Sequence, residues 1–195
     1  YKLKMKKISI FFLIIFIISA QNLYAREDFN LWLKDFKKNA VKKGISEKTV
    51  YEVMKDVKFL PKVIGYDRYQ PEFYEDTYTY IKKRANKGKV KKGLFLYKKE
   101  KDLIDEIEKK FLVEKELLIA LMGVETNFGK YLGKMDIISS LATLSFDKRR
   151  SAFFTNELLV LLKLIDGGVV DKNTLYGSWA GAFGNFQFMP STIKS

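Results

Sequence analysis

The chain has 195 residues, with 36 Lys and Arg against 23 Asp and Glu, for a formal net charge of +13. That length supports one domain with a sizeable core, or two small lobes, and the composition is globular rather than disordered. Cysteine and histidine are both absent. Their absence excludes disulfides, thiol nucleophiles, Cys-ligated zinc, Ser-His-Asp and Cys-His triads and HExxH metalloproteases, so an enzyme of this composition must move protons with Glu, Asp, Lys, Tyr or Ser.

Lys2, Lys4, Lys6 and Lys7 precede the apolar run Ile8–Ala20, and Leu23-Tyr24-Ala25 offers a cleavage site before Arg26. Residues 1–25 therefore read as a secretory signal, or as an uncleaved N-terminal anchor that would bring membrane association. The run is short for a membrane span, which needs roughly 20 residues. A basic exported protein meets anionic wall polymer, lipid or nucleic acid. The lysines are scattered around the helices rather than lined along one face, so no nucleic acid partner is expected.

From Phe29 to Val41 the apolar residues keep helical spacing, with Gly44 as a C-cap and Ser46 opening a second helix. Pro61 and Gly65 mark a break, and Tyr66–Pro71 reads as extended or irregular. Phe73–Ala85 is a helix, 86–93 a basic loop, and Leu94–Lys110 one amphipathic helix. Glu114–Asn127 is apolar almost all round, the pattern of a buried helix. Leu141–Phe146 and Ala152–Ile165 add helix, and Asp166-Gly167-Gly168 reads as a turn. No segment alternates for long like a strand.

Two features stand apart from this helical pattern. Tyr176–Pro190 mixes glycines with Trp179 and three phenylalanines. Such a run suits a backbone that approaches a ligand closely, with aromatic faces for sugar stacking; the alternative is a glycine-rich loop closing onto the core. The second is Glu125, among the apolar or small residues of Met122–Gly129. Burial there would disfavour the anion and keep a carboxylic acid ready to protonate a glycosidic oxygen; the alternative is a buried glutamate bonded to backbone or tyrosine.

Val124–Gly129 (VETNFG), Leu141–Asp147 (LATLSFD) with Arg149-Arg150, Gly177–Gly184 (GSWAGAFG) and Gln187–Ser191 (QFMPS) together resemble the lytic murein transglycosylase B type, glycoside hydrolase family 103. Gln70–Phe73 (QPEF) and Tyr80 fit the same pattern, and the motifs run in family order over roughly residues 28–195. Trp179 stands where the family usually has Tyr or Phe, and Phe183 where Met is common. Family members continue beyond the last motif, so the resemblance implies a chain truncated at its C-terminus.

The resemblance implies a mainly α fold: a lysozyme-like transglycosylase catalytic region over 94–195, incomplete at the C-terminus, with an N-terminal helical region over 26–93. It implies a periplasmic enzyme that cleaves the β-1,4 bond between N-acetylmuramic acid and N-acetylglucosamine in peptidoglycan without water, leaving 1,6-anhydromuramic ends. Glu125 matches the single catalytic acid/base. Ser178 and Gln187 match residues that line the sugar cleft, with Phe188 and Met189 as apolar walls. Tyr80 matches a cleft aromatic, with core packing as its alternative. Arg149 and Arg150 match an arginine pair suited to the carboxylates of lactyl and stem-peptide groups, with surface salt bridging as the alternative. Asp136 and Asp147, the nearest downstream acids, are read as capping or solvated residues. No cofactor or metal ion is expected. The partners implied are peptidoglycan glycan strands, with cell-wall synthesis or division proteins beside them. A muramidase that uses water, and a non-catalytic wall-binding protein, are the other readings of the same residues.

Overall fold

The computed structural model describes residues 27–69 and 75–194. The expected signal or anchor over 1–25 and the motif Gln70-Pro71-Glu72-Phe73 lie outside the described residues. The rest is mainly α, as expected. In chain order the helices are α1 (27–42), α2 (Glu47–Met54), α3 (Pro61–Arg68), α4 (Thr77–Arg84), α5 (Lys87–Lys99), α6 (Lys101–Phe111), α7 (Lys115–Thr126), α8 (Ile137–Phe146), α9 (Ser151–Asp166) and the short α10 (Pro190–Lys194). Two-residue strands, β1 (Met135–Asp136) and β2 (Tyr176–Gly177), pair antiparallel with Met135 opposite Gly177.

The centre of the molecule is α8, whose residues Ile137 to Ser145 are all buried. It packs along α9 and is flanked by α3, while α2 and α10 close on α9. Four of the buried α8 residues are hydroxyl-bearing, and two of them serve the chain across from them. Ser139 Oγ accepts the Lys58 N–H at 3.1 Å and Thr143 Oγ1 accepts the Leu60 N–H at 3.0 Å. The non-helical segment before α3 thus pairs its buried donors on α8, as buried backbone must. Phe29 on α1 packs against Phe59 (5.2 Å between ring centres) and edge-on against Phe146 (5.6 Å), closing the same core.

The structure departs from the sequence pattern at several points. Pro61 does not break the chain. It is the first residue of α3, where its missing N–H would be unpaired anyway. Residues 86–93 are not a loop: Asn86 accepts the Lys89 N–H at 3.0 Å and caps α5, so the division drawn at 93/94 falls inside a helix. The expected single helix Leu94–Lys110 is two, interrupted at Glu100, where ψ reaches 28°. Asp166 belongs to the end of α9 rather than to a turn. Its carboxylate accepts from the Ser46 N–H (3.2 Å) and the Thr49 hydroxyl (2.7 Å), tying α9 to the start of α2. Hydrogen bonds from Ser46 and then Thr49 hold the Asp166 carboxyl below the usual carboxylate range.

The largest correction concerns α7. Its apolar sequence reads as a buried helix, yet only Gly123 and Thr126 are buried, and Leu117 is 60% exposed. Helices α5, α6 and α7 pack on one another, yet Leu117, Ala120 and Val124 of α7 stay exposed. An apolar groove of about 400 Å³ runs between α5 and α7, lined by Val90, Leu94, Ile119, Ala120 and Val124.

Candidate functional site

Glu125 occupies the last turn of α7, and it is exposed. The enclosure expected from its apolar neighbours in sequence is absent, because on a helix the adjacent residues point elsewhere. Glu125 is also not among the residues lining the apolar groove.

Both ends of α7 are held. At the start, Glu108 accepts from the Lys115 N–H (3.1 Å) and ammonium (2.8 Å). These bonds, the side-chain one first, hold the Glu108 carboxyl below the ordinary carboxylate range and raise the Lys115 ammonium above its own. At the other end, Lys89 donates to the Gly123 carbonyl at 2.7 Å, one of the four carbonyls a helix leaves unpaired at its C-terminus. The chain then turns sharply through Asn127, Phe128 and Gly129, all with positive φ (51°, 63° and 77°). This turn folds the Phe128 ring back onto Gly123, where a Cβ would sit 2.7 Å from the ring.

Thr126, next to Glu125, is fully buried and joins α7 to the aromatic loop 176–190. Its hydroxyl donates to the Asn185 carbonyl at 2.8 Å, with the Met122 carbonyl at 3.1 Å as the intrahelical alternative, and accepts the Gly129 N–H at 2.9 Å. The loop therefore lies against the end of α7 that carries Glu125. Within it, Ser178 Oγ accepts the Ala182 N–H at 3.0 Å, while the Ser178 N–H donates to the Ala182 carbonyl at 2.8 Å, closing a tight turn. Gln187 has φ 49°, and its Nε2 donates to the Leu132 (3.1 Å) and Gly184 (3.0 Å) carbonyls. Both amide donors are thereby engaged, which leaves Oε1 as the atom of the Gln187 amide available to a ligand. Phe188 is 39% exposed and stacks on Phe186 at 5.8 Å, while Met189 packs against the core.

Two glycines, one before β1 and one in the loop, permit close backbone packing. At Gly133 (φ 90°) a Cβ would fall 2.0 Å from the Gly177 oxygen, and at Gly181 (φ 92°) it would fall 2.4 Å from Leu141. Gly133 thus lets the chain before β1 lie against Gly177, and Gly181 lets the loop lie against Leu141 of the core.

The remaining expected residues have partners within the chain. Tyr80 is on α4, partly exposed, with the Arg84 guanidinium 3.9 Å above its ring, and Arg84 in turn binds Glu75 at 2.9 Å. Arg149 and Arg150, both partly exposed, pair with an acid of the chain. Arg149 binds the Asp67 carboxylate at 2.7 Å and Arg150 pairs with its other oxygen. Asp67 on α3 is 1% exposed, so the carboxylate these arginines hold belongs to the chain itself. Asp136 caps α8, accepting the Ser139 N–H at 2.8 Å, and Asp147 pairs with Arg68 at 2.9 Å. No group of three or more acidic residues suited to a metal ion occurs among the described residues. Sequence reasoning missed Thr126, Asp67 and Lys89. Only Thr126 left a signal, as a β-branched hydroxyl beside the singled-out glutamate.

The chain and its fold are similar to those of known proteins. The chain is 36% identical over 116 residues to the membrane-bound lytic murein transglycosylase B of Escherichia coli strain K12, covering 59% of this chain and 32% of that protein. Its fold matches SltB3 from Pseudomonas aeruginosa, solved in complex with NAG-NAM-pentapeptide, with TM-score 0.81 and 32% identity over 85% of this chain and 44% of that one. It also matches the E. coli lytic transglycosylase Slt35 in complex with bulgecin A, with TM-score 0.72 and 32% identity over 83% of this chain and 52% of that one. The chain thus spans between about a third and a half of the length of these relatives, and shares with them the lysozyme-like fold that the sequence motifs imply. The family described as the transglycosylase SLT domain matches residues 28–195, which takes in Glu125, the Thr126 clamp and the whole aromatic loop, and the chain belongs to that family.

Proposed function

We propose that the chain carries the acid/base centre of a peptidoglycan lytic transglycosylase of glycoside hydrolase family 103, working outside the cytoplasm in the periplasm. The observation that carries this reading is the exposed Glu125 at the end of α7, joined through Thr126 and Asn185 to the loop bearing Ser178, Gln187 and Phe188. The names of the relatives support it: a lytic murein transglycosylase, and a neighbour solved with NAG-NAM-pentapeptide.

In this reading Glu125 protonates the glycosidic oxygen between N-acetylmuramic acid and N-acetylglucosamine as the bond to the muramic anomeric carbon breaks. The muramic C6 hydroxyl then closes onto that carbon and returns its proton to Glu125. The carboxylic acid is regenerated and a 1,6-anhydro end is left. Most glycosidases need two carboxylates. Here the substrate's own hydroxyl replaces the second, which agrees with Asp136 and Asp147 being occupied as a helix cap and an ion pair. Gln187 Oε1 accepts from an N–H or hydroxyl of the sugar, the Ser178 hydroxyl donates, and Phe188 offers an apolar face. Sugar seated over Glu125 supplies the desolvation that the protein alone does not.

Digestion of purified peptidoglycan, beside the Glu125→Gln variant, tests this. Muropeptides lighter by one water than reducing-end products, and absent with the variant, are the expected result. Reducing ends would instead assign a water-using muramidase. Binding without turnover, unchanged by Glu125→Gln, would assign a wall-binding protein.

A further inference from the structure

The aromatic loop is held at a second point, and by an unusual group. Glu157 sits in the middle of α9 at 1% exposure, among Phe154, Leu158, Leu161 and Leu162. A carboxylate in such surroundings is costly unless it has a bonded partner. Its Oε2 accepts the Ser191 N–H at 2.9 Å. Ser191 follows Pro190, the first residue of α10, and lies four residues after Gln187. Upstream, the Phe183 N–H donates to the Phe188 carbonyl at 3.2 Å, so the segment carrying Gln187 is pinned on both sides. Gln187 itself has φ 49°, a left-handed conformation that non-glycine residues keep only when their surroundings over-determine it.

We propose that Glu157 is a positioning residue, whose buried carboxylate anchors the loop at Ser191 and thereby keeps Gln187 in the left-handed conformation in which its Nε2 is bonded to the chain and its Oε1 is left for a ligand. The inference deepens the proposed function, since it rests on Gln187 facing sugar in that cleft.

The chain has three glutamines, Gln21, Gln70 and Gln187, so the side-chain amides of [15N]glutamine-labelled protein report Gln187 directly, with Gln187→Ala giving the assignment. Glu157→Gln, which keeps the shape and an acceptor oxygen, leaves the Gln187 amide signals in place and retains turnover of peptidoglycan. Glu157→Leu moves those signals to the positions of a freely exposed amide and lowers turnover by about tenfold or more, the scale expected when a substrate-facing group shifts by about an ångström. A folded Glu157→Leu protein whose Gln187 signals match those of the unaltered chain overturns the inference. Should Glu157→Leu not fold, hydrogen exchange of the Ser191 amide in the unaltered chain decides: a protected N–H supports the anchor, and one exchanging like a free amide overturns it. The amide signals stand apart from activity, so a chain with no turnover in any form defeats the proposed function while the signals still judge the role of Glu157.

Discussion

The hydroxyl of Thr126 and the carbonyl of Asn185 meet at 2.8 Å across 59 residues of chain. Through this bond the helix carrying Glu125 and the loop carrying Ser178 and Gln187 become one surface. Replacing Thr126 with Val keeps the shape but leaves the Asn185 carbonyl and the Gly129 N–H without partners. A stability loss of about 1–3 kcal/mol is expected, read from the denaturant midpoint, together with a fall in turnover that Thr126→Ser does not show.

Asp166 makes stability pH-dependent. Its carboxyl is held below the usual range by Ser46 and then Thr49, so on acidification the unfolded chain takes up the proton first. The stabilisation is fully present above the ordinary Asp value of about 3.9 and is lost as pH falls through the lower folded value. Thermal midpoints of the native chain should therefore exceed those of Asp166→Asn near neutrality, with the gap closing below about pH 4.

At Gly133 an alanine would place its Cβ against the Gly177 oxygen in a backbone with φ 90°. The left-handed strain alone costs about 1–3 kcal/mol, and the clash adds to it. Gly133→Ala is expected to lower the denaturant midpoint and to part Met135 from Gly177, which amide exchange at the β1–β2 pair would register.

Arg149 and Arg150 give a sharper choice. Their guanidinium groups neutralise the buried Asp67 while keeping 47% and 39% side-chain exposure. Arg150→Ala should destabilise the fold by about 1–3 kcal/mol, less than a fully buried pair would because solvent screens it. Turnover of glycan strands with and without stem peptides should then fall by the same factor. A loss confined to peptide-bearing strands would instead show the arginines reaching substrate.

The sequence made the helical class and several caps legible, because those signals are local: Ser46 accepts the Thr49 N–H at 3.2 Å as a cap should. It misjudged which helix lies at the centre. The run Ile137–Phe146 looks mixed, since four of its residues bear hydroxyls, yet it is the buried one, because backbone donors at Lys58 and Leu60 arrive to use two of them. α7 looks uniformly apolar and lies open, because periodicity tells which residues avoid water but not which segment covers them. Glu125 stands out in the sequence through its apolar neighbours and then through its motif, yet the burial those neighbours suggest is absent, because they lie on other faces of the helix. Asp67 left no trace, since its arginine partners come 82 and 83 residues later.

The donors at Lys58 and Leu60, paired with hydroxyls at Ser139 and Thr143, also set an order of events. When the chain is made from its N-terminus, α1 to α3 have their core partners some 80 residues ahead of them, and the Ser46–Asp166 tie spans 120. Closing such long loops is slow compared with local pairing. Helices α5, α6 and α7, whose main helix contacts are with one another, can assemble while the first three wait. A nascent chain halted before Asp166 therefore exposes the apolar faces of α1 and α2, and it is at this stage that a chaperone has most to hold.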